Sequence, residues 1–394
     1  MKINKTLHLT YCSNIFKGNN WEKIFLNIKT YIPKIKKNIT NKKFALGLCL
    51  SNSITNELLL KKNINIFIKW MKNENIYIPS INGFVYKNFH IKKIKENIYF
   101  PDWSSNKRLN YTKKLIKVLI KLIPKYIDGN ISTSPISYKP WVENKNKTYI
   151  YYKSSINLAK TIIFIIKNKR FIHIDIEPEP ICSIENTKEV IIFFKNWLIP
   201  IGSYYLEKKL KLPKFFCEKI IKKYIRICFD ICHLSVEFED ILNSILKLKK
   251  NNIKIGKIQI SSSPKLTINN INKNIIIKNN LNTFNNSNFL HQVIKKRENK
   301  LIYYNDITDL LKNFNLELND EIRIHFHLPI YMKTYKIFYT TQDNIIKVIS
   351  FLKNKNITNC IEIETYTFSN ILTNISTIDS IIKEYNWLLN LYKK

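Results

Sequence analysis

The 394-residue sequence predicts an α/β protein: a single (β/α)8 TIM barrel with one extra strand-like segment and long loops on its active face. Two observations predict it. Strand-like and helix-like segments alternate along nearly the whole chain, which implies a parallel sheet. Three strand-like segments also end in acidic residues: FIHIDIEPEP at Glu177 and Glu179, IRICFDICH at Asp230 with His233 three residues on, and NCIEIETYT at Glu362 and Glu364. Barrels of this kind gather their chemistry at the carboxyl ends of their strands. A chain of this length that is 45% hydrophobic can bury one large core, so one domain over 1–394 is expected.

Taken in order, LHLTYC (7–12) precedes the helical WEKIFLNIKTYIPKIKK, and FALGLCLS (44–51) precedes NELLLKKNINIFIKWMK. IYIPSINGF (76–84) follows, then a longer connection with YFPDWSSNKRL and the helical YTKKLIKVLIKLIPKY. GNISTSPIS (129–137), a helix around 154–169, the FIHIDIEPEP strand and helical segments up to Tyr224 come next. IRICFDICH, IKIGKIQISSS, EIRIHFHLPIY and CIEIETYTF complete the series. That makes nine candidate strands where a closed barrel needs eight, and the surplus is expected among the first four, as a loop ribbon or cap. Residues 265–288, dominated by asparagine and lysine without a clear period, read as a mobile surface connection at the active face.

The net charge of +36 would ordinarily point to nucleic acid or an anionic membrane. The cations are almost all lysine, however, with arginine only at 108, 170, 226, 297 and 323. Lysine, isoleucine and asparagine all have AT-rich codons, so the charge is read as genome composition and nucleic acid is not the expected partner. Such bias fits an endosymbiont or organelle genome, hence a bacterial cytoplasm or plastid stroma. Seven scattered cysteines without C-x-x-C spacing read as buried thiols in a reducing compartment. The amino terminus lacks the apolar run of a signal peptide, and TIIFIIK (161–167) is far short of a membrane span, so a soluble protein is expected. No glycine-rich phosphate loop or G-x-S-x-G elbow is present.

The candidate site follows from the strand ends. Pro178 and Pro180 suggest that the strand stops near Glu177, making it the better metal ligand, with Glu179 beside the substrate. Asp230 closes an otherwise apolar strand, where an unpaired charge is expensive and a bound cation would resolve the cost. His233 completes a D-x-x-H pair. His325 and His327 alternate on what reads as one face of a barrel strand, so both rings are expected inside the barrel near Asp230. They suit Zn²⁺, Mn²⁺ or substrate hydroxyls. Gln259 offers an amide oxygen to a hard cation, Glu364 ends the last strand, and His291 and Lys139 are further candidates for substrate contact.

The order of a glutamate in an E-P strand, D-x-x-H, a polar strand end and a terminal strand glutamate resembles the xylose-isomerase-like TIM-barrel superfamily of sugar isomerases, ketose epimerases and endonuclease IV. More narrowly, HLTYCSNI, GLCLS, INGFVYKNFH, DWSSNKRLNYT, ISTSPISYKPW, FDICHLSVEFED, GKIQISS, FLHQV, HFHLPIY and EIETYTF, from His8 to Phe368, resemble the EboE family of metabolite traffic proteins of the ebo cluster. In the epimerase branch the resemblance implies a divalent metal (Mn, Zn or Mg) on Glu177, Asp230 and Glu364, with Glu177 and Glu364 as a catalytic pair. That branch has a histidine where Gln259 stands here, a departure that touches both the metal and the two-glutamate proton shuttle. The ebo resemblance implies a small metabolite precursor destined for export, and other ebo-cluster proteins as partners.

Three classes of function are compatible with these residues: a metal-assisted isomerase or epimerase, an endonuclease IV-like phosphodiesterase, and a non-catalytic barrel that hands over a metabolite. One metal ion per chain would favour the first, three the second and none the third.

Overall fold

The computed structural model describes residues 1–87, 95–143, 146–270, 273–285, 289–366 and 376–393. Eight parallel strands form the barrel: β1 (His8–Tyr11), β2 (Phe44–Cys49), β3 (Ile76–Asn82), β4 (Gly129–Thr133), β5 (Ile172–Ile176), β6 (Ile225–Asp230), β7 (Ile255–Ile260) and β8 (Cys360–Ile363). Seven successive pairings run from β1 through β8, β7, β6, β5, β4 and β3 to β2. A parallel bridge between Cys12 and Gly47 draws the β1–β2 seam together. Among the described residues no helix is long and apolar enough to cross a membrane.

The pleat explains how these strands read in sequence. On β5, Ile172, Ile174 and Ile176 join the main apolar core, while His173 and Asp175 on the opposite face hydrogen-bond to each other. The same alternation on β7 and β8 sends Lys257 and Glu362 into the barrel, both fully buried. Lys257 Nζ donates to Glu362 Oε1 at 2.6 Å and to Ser132 Oγ of β4 at 3.1 Å, and Thr10 Oγ1 of β1 donates to Glu362 Oε2 at 3.0 Å. One ion pair thus ties four strands together from the inside. Burial alone would discharge the ammonium, but Glu362 together with Cys228, Cys12 and Glu177 outweighs it and holds the Lys257 pKa well above its ordinary value.

Between β7 and β8 the chain builds a second layer. Six antiparallel strands run in the order Lys300–Tyr304, Val293–Arg297, Glu321–Ile324, Pro264–Thr267, Phe338–Thr340 and Thr334–Tyr335. They enclose a separate apolar cluster that includes Ile277, Leu281, Phe284, Leu310, Ile322 and Phe326. Because this insertion leaves from the carboxyl end of β7, it lies on the active side of the barrel.

Two expectations are corrected here. The surplus strand is EIRIHFHLPIY rather than one of the first four: Glu321–Ile324 belongs to the antiparallel insertion, and its exposure alternates as a one-faced strand does, with Glu321 and Arg323 half-buried between Ile322 and Ile324. Residues 265–288, expected as a connection without elements, contain most of the strand Pro264–Thr267 and the helix Asn274–Asn282, whose Ile277 and Leu281 are buried. Residues 271–272 and 286–288 lie outside the described residues. The seven cysteines are unpaired thiols, six buried and Cys49 half-buried, as the sequence suggested.

The insertion is tied to the barrel through Glu384 on the last helix, Thr377–Lys393. Its carboxyl accepts from Tyr11 Oη at 2.7 Å, Thr365 Oγ1 at 2.8 Å and the Ile330 amide at 3.0 Å. Barrel, insertion and terminal helix therefore share one buried acid, whose burial lifts its pKa to about 7.

Gly47 is where the interior leaves no room for a side chain. A Cβ there would lie 1.8 Å from Glu362 Oε2. Gly47→Ala is therefore expected to displace Glu362 from Lys257 and cost about 3 to 5 kcal/mol, the range for breaking a buried ion pair on one side. Urea denaturation measures it, and a variant within about 1 kcal/mol of the parent would refute the dependence.

Candidate metal centre

The site assembles at the carboxyl ends of β5, β6 and β8 under the insertion. Glu177 follows β5 and is buried, with its amide donating to the Thr133 carbonyl at 3.0 Å. Asp230 ends β6 and caps the short helix Ile231–Val236, its Oδ1 accepting from the His233 amide at 3.0 Å and from Ser261 Oγ at 2.7 Å. The D-x-x-H spacing is therefore a helix-capping spacing that also brings the His233 ring between the two acids. Its Nε2 is 3.9 Å from Asp230 Oδ2 and its Nδ1 is 3.9 Å from Glu177 Oε1.

His325 and His327 reach the same place by another route than expected. They leave the antiparallel strand Glu321–Ile324 and descend from the roof, rather than standing on a barrel strand. Their ring centroids lie 4.5 Å and 5.7 Å from that of His233. Among the described residues three groupings hold their donor atoms within metal-binding reach of one another: Glu177 with Asp230 and His233, His233 with His325 and His327, and Asp230 with Cys232 and His327.

Each of these histidines has its Nδ1 against an oxygen that can only accept. His233 Nδ1 donates to the Pro178 carbonyl at 3.0 Å, His325 Nδ1 to Gln292 Oε1 at 2.7 Å and His327 Nδ1 to the Glu364 carbonyl at 2.8 Å. That fixes the tautomer and leaves the lone pair on Nε2, as metal-ligating imidazoles require. Burial, reinforced by His327, keeps the His233 pKa well below its ordinary value, and burial with His233 and His327 does the same for His325. Neutral rings are the ligand form.

The carboxyls show the opposite strain. Burial, then Glu364 and Asp230, push the Glu177 pKa well up, and burial with Asp230 does the same to Glu364. Glu179, beside His325 at 3.7 Å, is lifted by burial to about 8 even though Tyr99 Oη donates to it at 2.7 Å. Glu177 Oε2 and Asp230 Oδ2 are buried without a hydrogen-bond partner. Orphaned carboxylate oxygens facing neutral imidazole nitrogens are a donor set with nothing to bind, which a divalent cation fits.

Glu364 is held differently. Its Oε1 accepts from Asn14 Nδ2 at 3.1 Å and Asn82 Nδ2 at 3.2 Å, while Gln259 Nε2 donates to Oε2. The Gln259 oxygen is turned away and accepts from Cys228 Sγ at 3.0 Å. Gln259 thus stands behind Glu364 and positions it, rather than presenting the expected ligand oxygen. His291 is buried, packed on Phe326, and donates from Nδ1 to the His325 carbonyl at 3.1 Å, while Lys139 pairs with Glu185. Neither lines the cavity, which holds about 70 Å³ among Glu177, Glu179, His233, His325, His327 and Glu364 with Asn14, Cys49, Asn82 and Tyr366.

Sequence reasoning passed over Asn14, Asn82, Tyr99 and Gln292. Asn14, Asn82 and Gln292 stand in the quoted motifs HLTYCSNI, INGFVYKNFH and FLHQV; the Gln292 amide donates to Tyr99 Oη at 2.8 Å, so Glu179, Tyr99, Gln292 and His325 form one hydrogen-bonded chain. The roles of Asn14, Asn82 and Tyr99 have no local pattern, because their carboxylate partners are 80 to 350 positions away.

No protein-family model matches the chain. One curated relative, DNA-directed RNA polymerase subunit alpha of Carsonella ruddii (strain PV), is 28% identical over 329 residues, 69% of this chain and 98% of that protein. A sequence so rich in isoleucine, lysine and asparagine gathers identities by composition, and this match shows no shared family. Among solved structures, a D-tagatose 3-epimerase-like protein matches with a TM-score of 0.50 at 12% identity, covering 98% of this chain and all of that one. The IolI protein with a bound zinc atom, at 9% identity, and a xylose isomerase domain protein from Planctomyces limnophilus, at 8%, both score 0.49. They cover 98% of this chain, and 98% and 97% of their own, and at that score add no argument. None of these matches reaches the ebo-cluster traffic family, whose resemblance rests on short motifs. The likeness is one of fold: the chain is a (β/α)8 TIM barrel, similar in architecture to the D-tagatose 3-epimerase-like protein, and its mouth is lined by carboxyls and imidazoles.

Proposed function

We propose that this chain is a metal-dependent isomerase or epimerase acting on a small hydroxylated carbonyl compound of the sugar type. The observation that carries the reading is the pair of buried, unpartnered carboxylate oxygens, Glu177 Oε2 and Asp230 Oδ2, on the two acids that flank the His233 ring. Glu177, Asp230 and His233 would hold the cation, with His325 and His327 closing over it. Bound there, a divalent cation would supply a Lewis acid for a substrate carbonyl or hydroxyl pair.

The protein's own residues divide the rest of the work unequally. Both oxygens of Glu364 are engaged by amides, whereas Glu177 Oε2 has no partner. Glu177 is therefore the group suited to take a proton from the carbon beside the carbonyl and return it. Glu364, clamped by Asn14, Asn82 and Gln259, orients substrate. One working base in place of a symmetrical glutamate pair is consistent with Gln259 replacing the epimerase histidine. The insertion narrows the mouth to a cavity far smaller than the roughly 300 to 1,000 Å³ of an open ligand pocket. A role in metabolite traffic would add a destination for the product that this chemistry neither requires nor opposes.

One divalent ion per chain is expected on reconstitution with zinc or manganese, measured by elemental mass spectrometry. Asp230→Asn, which keeps a capping oxygen for the His233 amide, is expected to lose it; stoichiometric metal in that variant would sink the assignment. Three ions per chain would favour the phosphodiesterase and none the carrier.

The raised carboxyl pKa values have a sign that titration can read. Without metal, Glu177 and Glu364 hold protons at pH values where exposed carboxyls do not, and the cation must expel them. Metal binding at neutral pH is expected to release at least one proton and to tighten as pH rises, detectable by calorimetry in buffers of different ionisation enthalpy. Affinity independent of pH between about 6 and 8 would contradict it.

For the chemistry, the metal-loaded protein incubated with ketoses in D₂O is expected to place deuterium on the carbon beside the carbonyl, followed by NMR. Glu177→Gln should lower the exchange by roughly 10²-fold or more. Replacing His325 or His327 by Gln should leave folding intact and cut turnover on the same scale. Ligand affinity lost with no exchange in the parent protein would instead support the binding barrel.

A further inference from the structure

At the opposite end of the barrel, where β5, β6, β7 and β8 begin, a cleft of about 870 Å³ lies between helix ends and strand starts. Seven of its seventeen lining residues are lysine or arginine, against 65 of 394 in the whole chain, and Asp128 is its sole carboxylate. The cations converge from three separate stretches of chain. Lys219, Lys222 and Lys223 come from the helix Lys214–Tyr224 and Arg226 from β6. Lys249 comes from the last turn of the helix Ile241–Lys250, Lys254 from the turn into β7, and Lys355 from the turn into β8.

Compositional bias scatters lysine along a sequence but gives no reason for distant segments to meet in one concavity. Helix ends account for part of the charge. Three helices, Lys214–Tyr224, Ile241–Lys250 and Gln342–Asn354, present their carboxyl ends here. Each carries about half a negative charge, so with Asp128 they offset roughly 2.5 of the seven positive charges. The remainder is surplus. Two of the cations are also ordered: Lys223 Nζ and Arg226 Cζ lie 4.9 Å and 5.4 Å from the Phe171 ring, and Arg226 Nε donates to the Lys223 carbonyl at 3.1 Å.

We propose that this cleft binds a multiply phosphorylated small molecule. Its volume is of small-ligand size, and its cations are mainly flexible lysine ammonium groups, which serve phosphate as point charges. Lysine with a single arginine does not supply the guanidinium forks that read bases, which argues against nucleic acid. The cleft is separated from the metal centre by the length of the barrel strands, so the proposal stands apart from the assignment of the mouth.

The test titrates the full-length protein with inorganic tripolyphosphate and with ATP, each by calorimetry at about 150 mM salt, where screening suppresses loose attraction to surface charge. Saturable one-to-one binding is expected. Lys222→Glu combined with Lys355→Glu should weaken it about tenfold or more, while Lys29→Glu combined with Lys37→Glu, the same charge change on the exposed face of the helix Trp21–Ile39, should alter it by less than about twofold. Equal affinities for the two probes would assign the site to a phosphate chain, and tighter ATP binding to a nucleotide; both support the proposal. Failure to saturate with either probe, equal losses in the two double variants, or tighter binding of a short duplex DNA than of either probe would overturn it. Thermal melting of both double variants confirms that each is folded.

Discussion

The ion pair between Lys257 and Glu362 sits where most small barrels place aliphatic side chains, and the architecture above it depends on that choice. A buried pair of this kind contributes little net stability relative to a well-packed apolar core, yet removing either partner is severe. Its effect is on arrangement. Lys257 and Gln259 share one face of β7, and Glu362 and Glu364 share one face of β8, so the pairing sets the register in which Gln259 meets Glu364. Lys257 also lends positive potential to the two glutamates above it, which offsets part of the burial that raises their pKa values. Floor and mouth are electrostatically one object.

That organisation explains what could be read from the sequence. The barrel was legible because its strands are buried on both faces and read as short runs separated by helical period. Glu177, Asp230, His233 and Glu364 were legible because each lies at a strand end, the one position where a charged residue in an apolar run demands an account. The insertion was not, because short antiparallel strands and barrel strands look alike over four or five residues. The alternation of charge and isoleucine in Glu321–Ile324 was the clue that distinguished them. His325 and His327 were placed in the right company on the wrong scaffold: their spacing was informative, and the assumption of a barrel strand beneath them was not needed.

The amide clamp on Glu364 shows a different limit. Asn14 and Asn82 sit in a sequence full of asparagine, where composition hides function. Only their convergence on one carboxyl, from the turn after β1 and the end of β3, separates them from the asparagines that decorate the surface. Lysine presents the same difficulty: one is the cation inside the barrel, Lys295 is buried in the insertion, several gather at the barrel's base, and many others are exposed. In a chain with this bias, residue type carries little information and position carries nearly all of it.

The histidines of the mouth give their Nδ1 protons to oxygens that have no proton to offer in return, two of them backbone carbonyls. A ring held this way cannot relay a proton by exchanging tautomers, since the reverse tautomer would set a lone pair against an oxygen lone pair. The imidazoles are fixed electron-pair donors, insulated from acid–base traffic by the chain that holds them. Whatever protons move at this barrel mouth move between carboxyls and whatever they enclose.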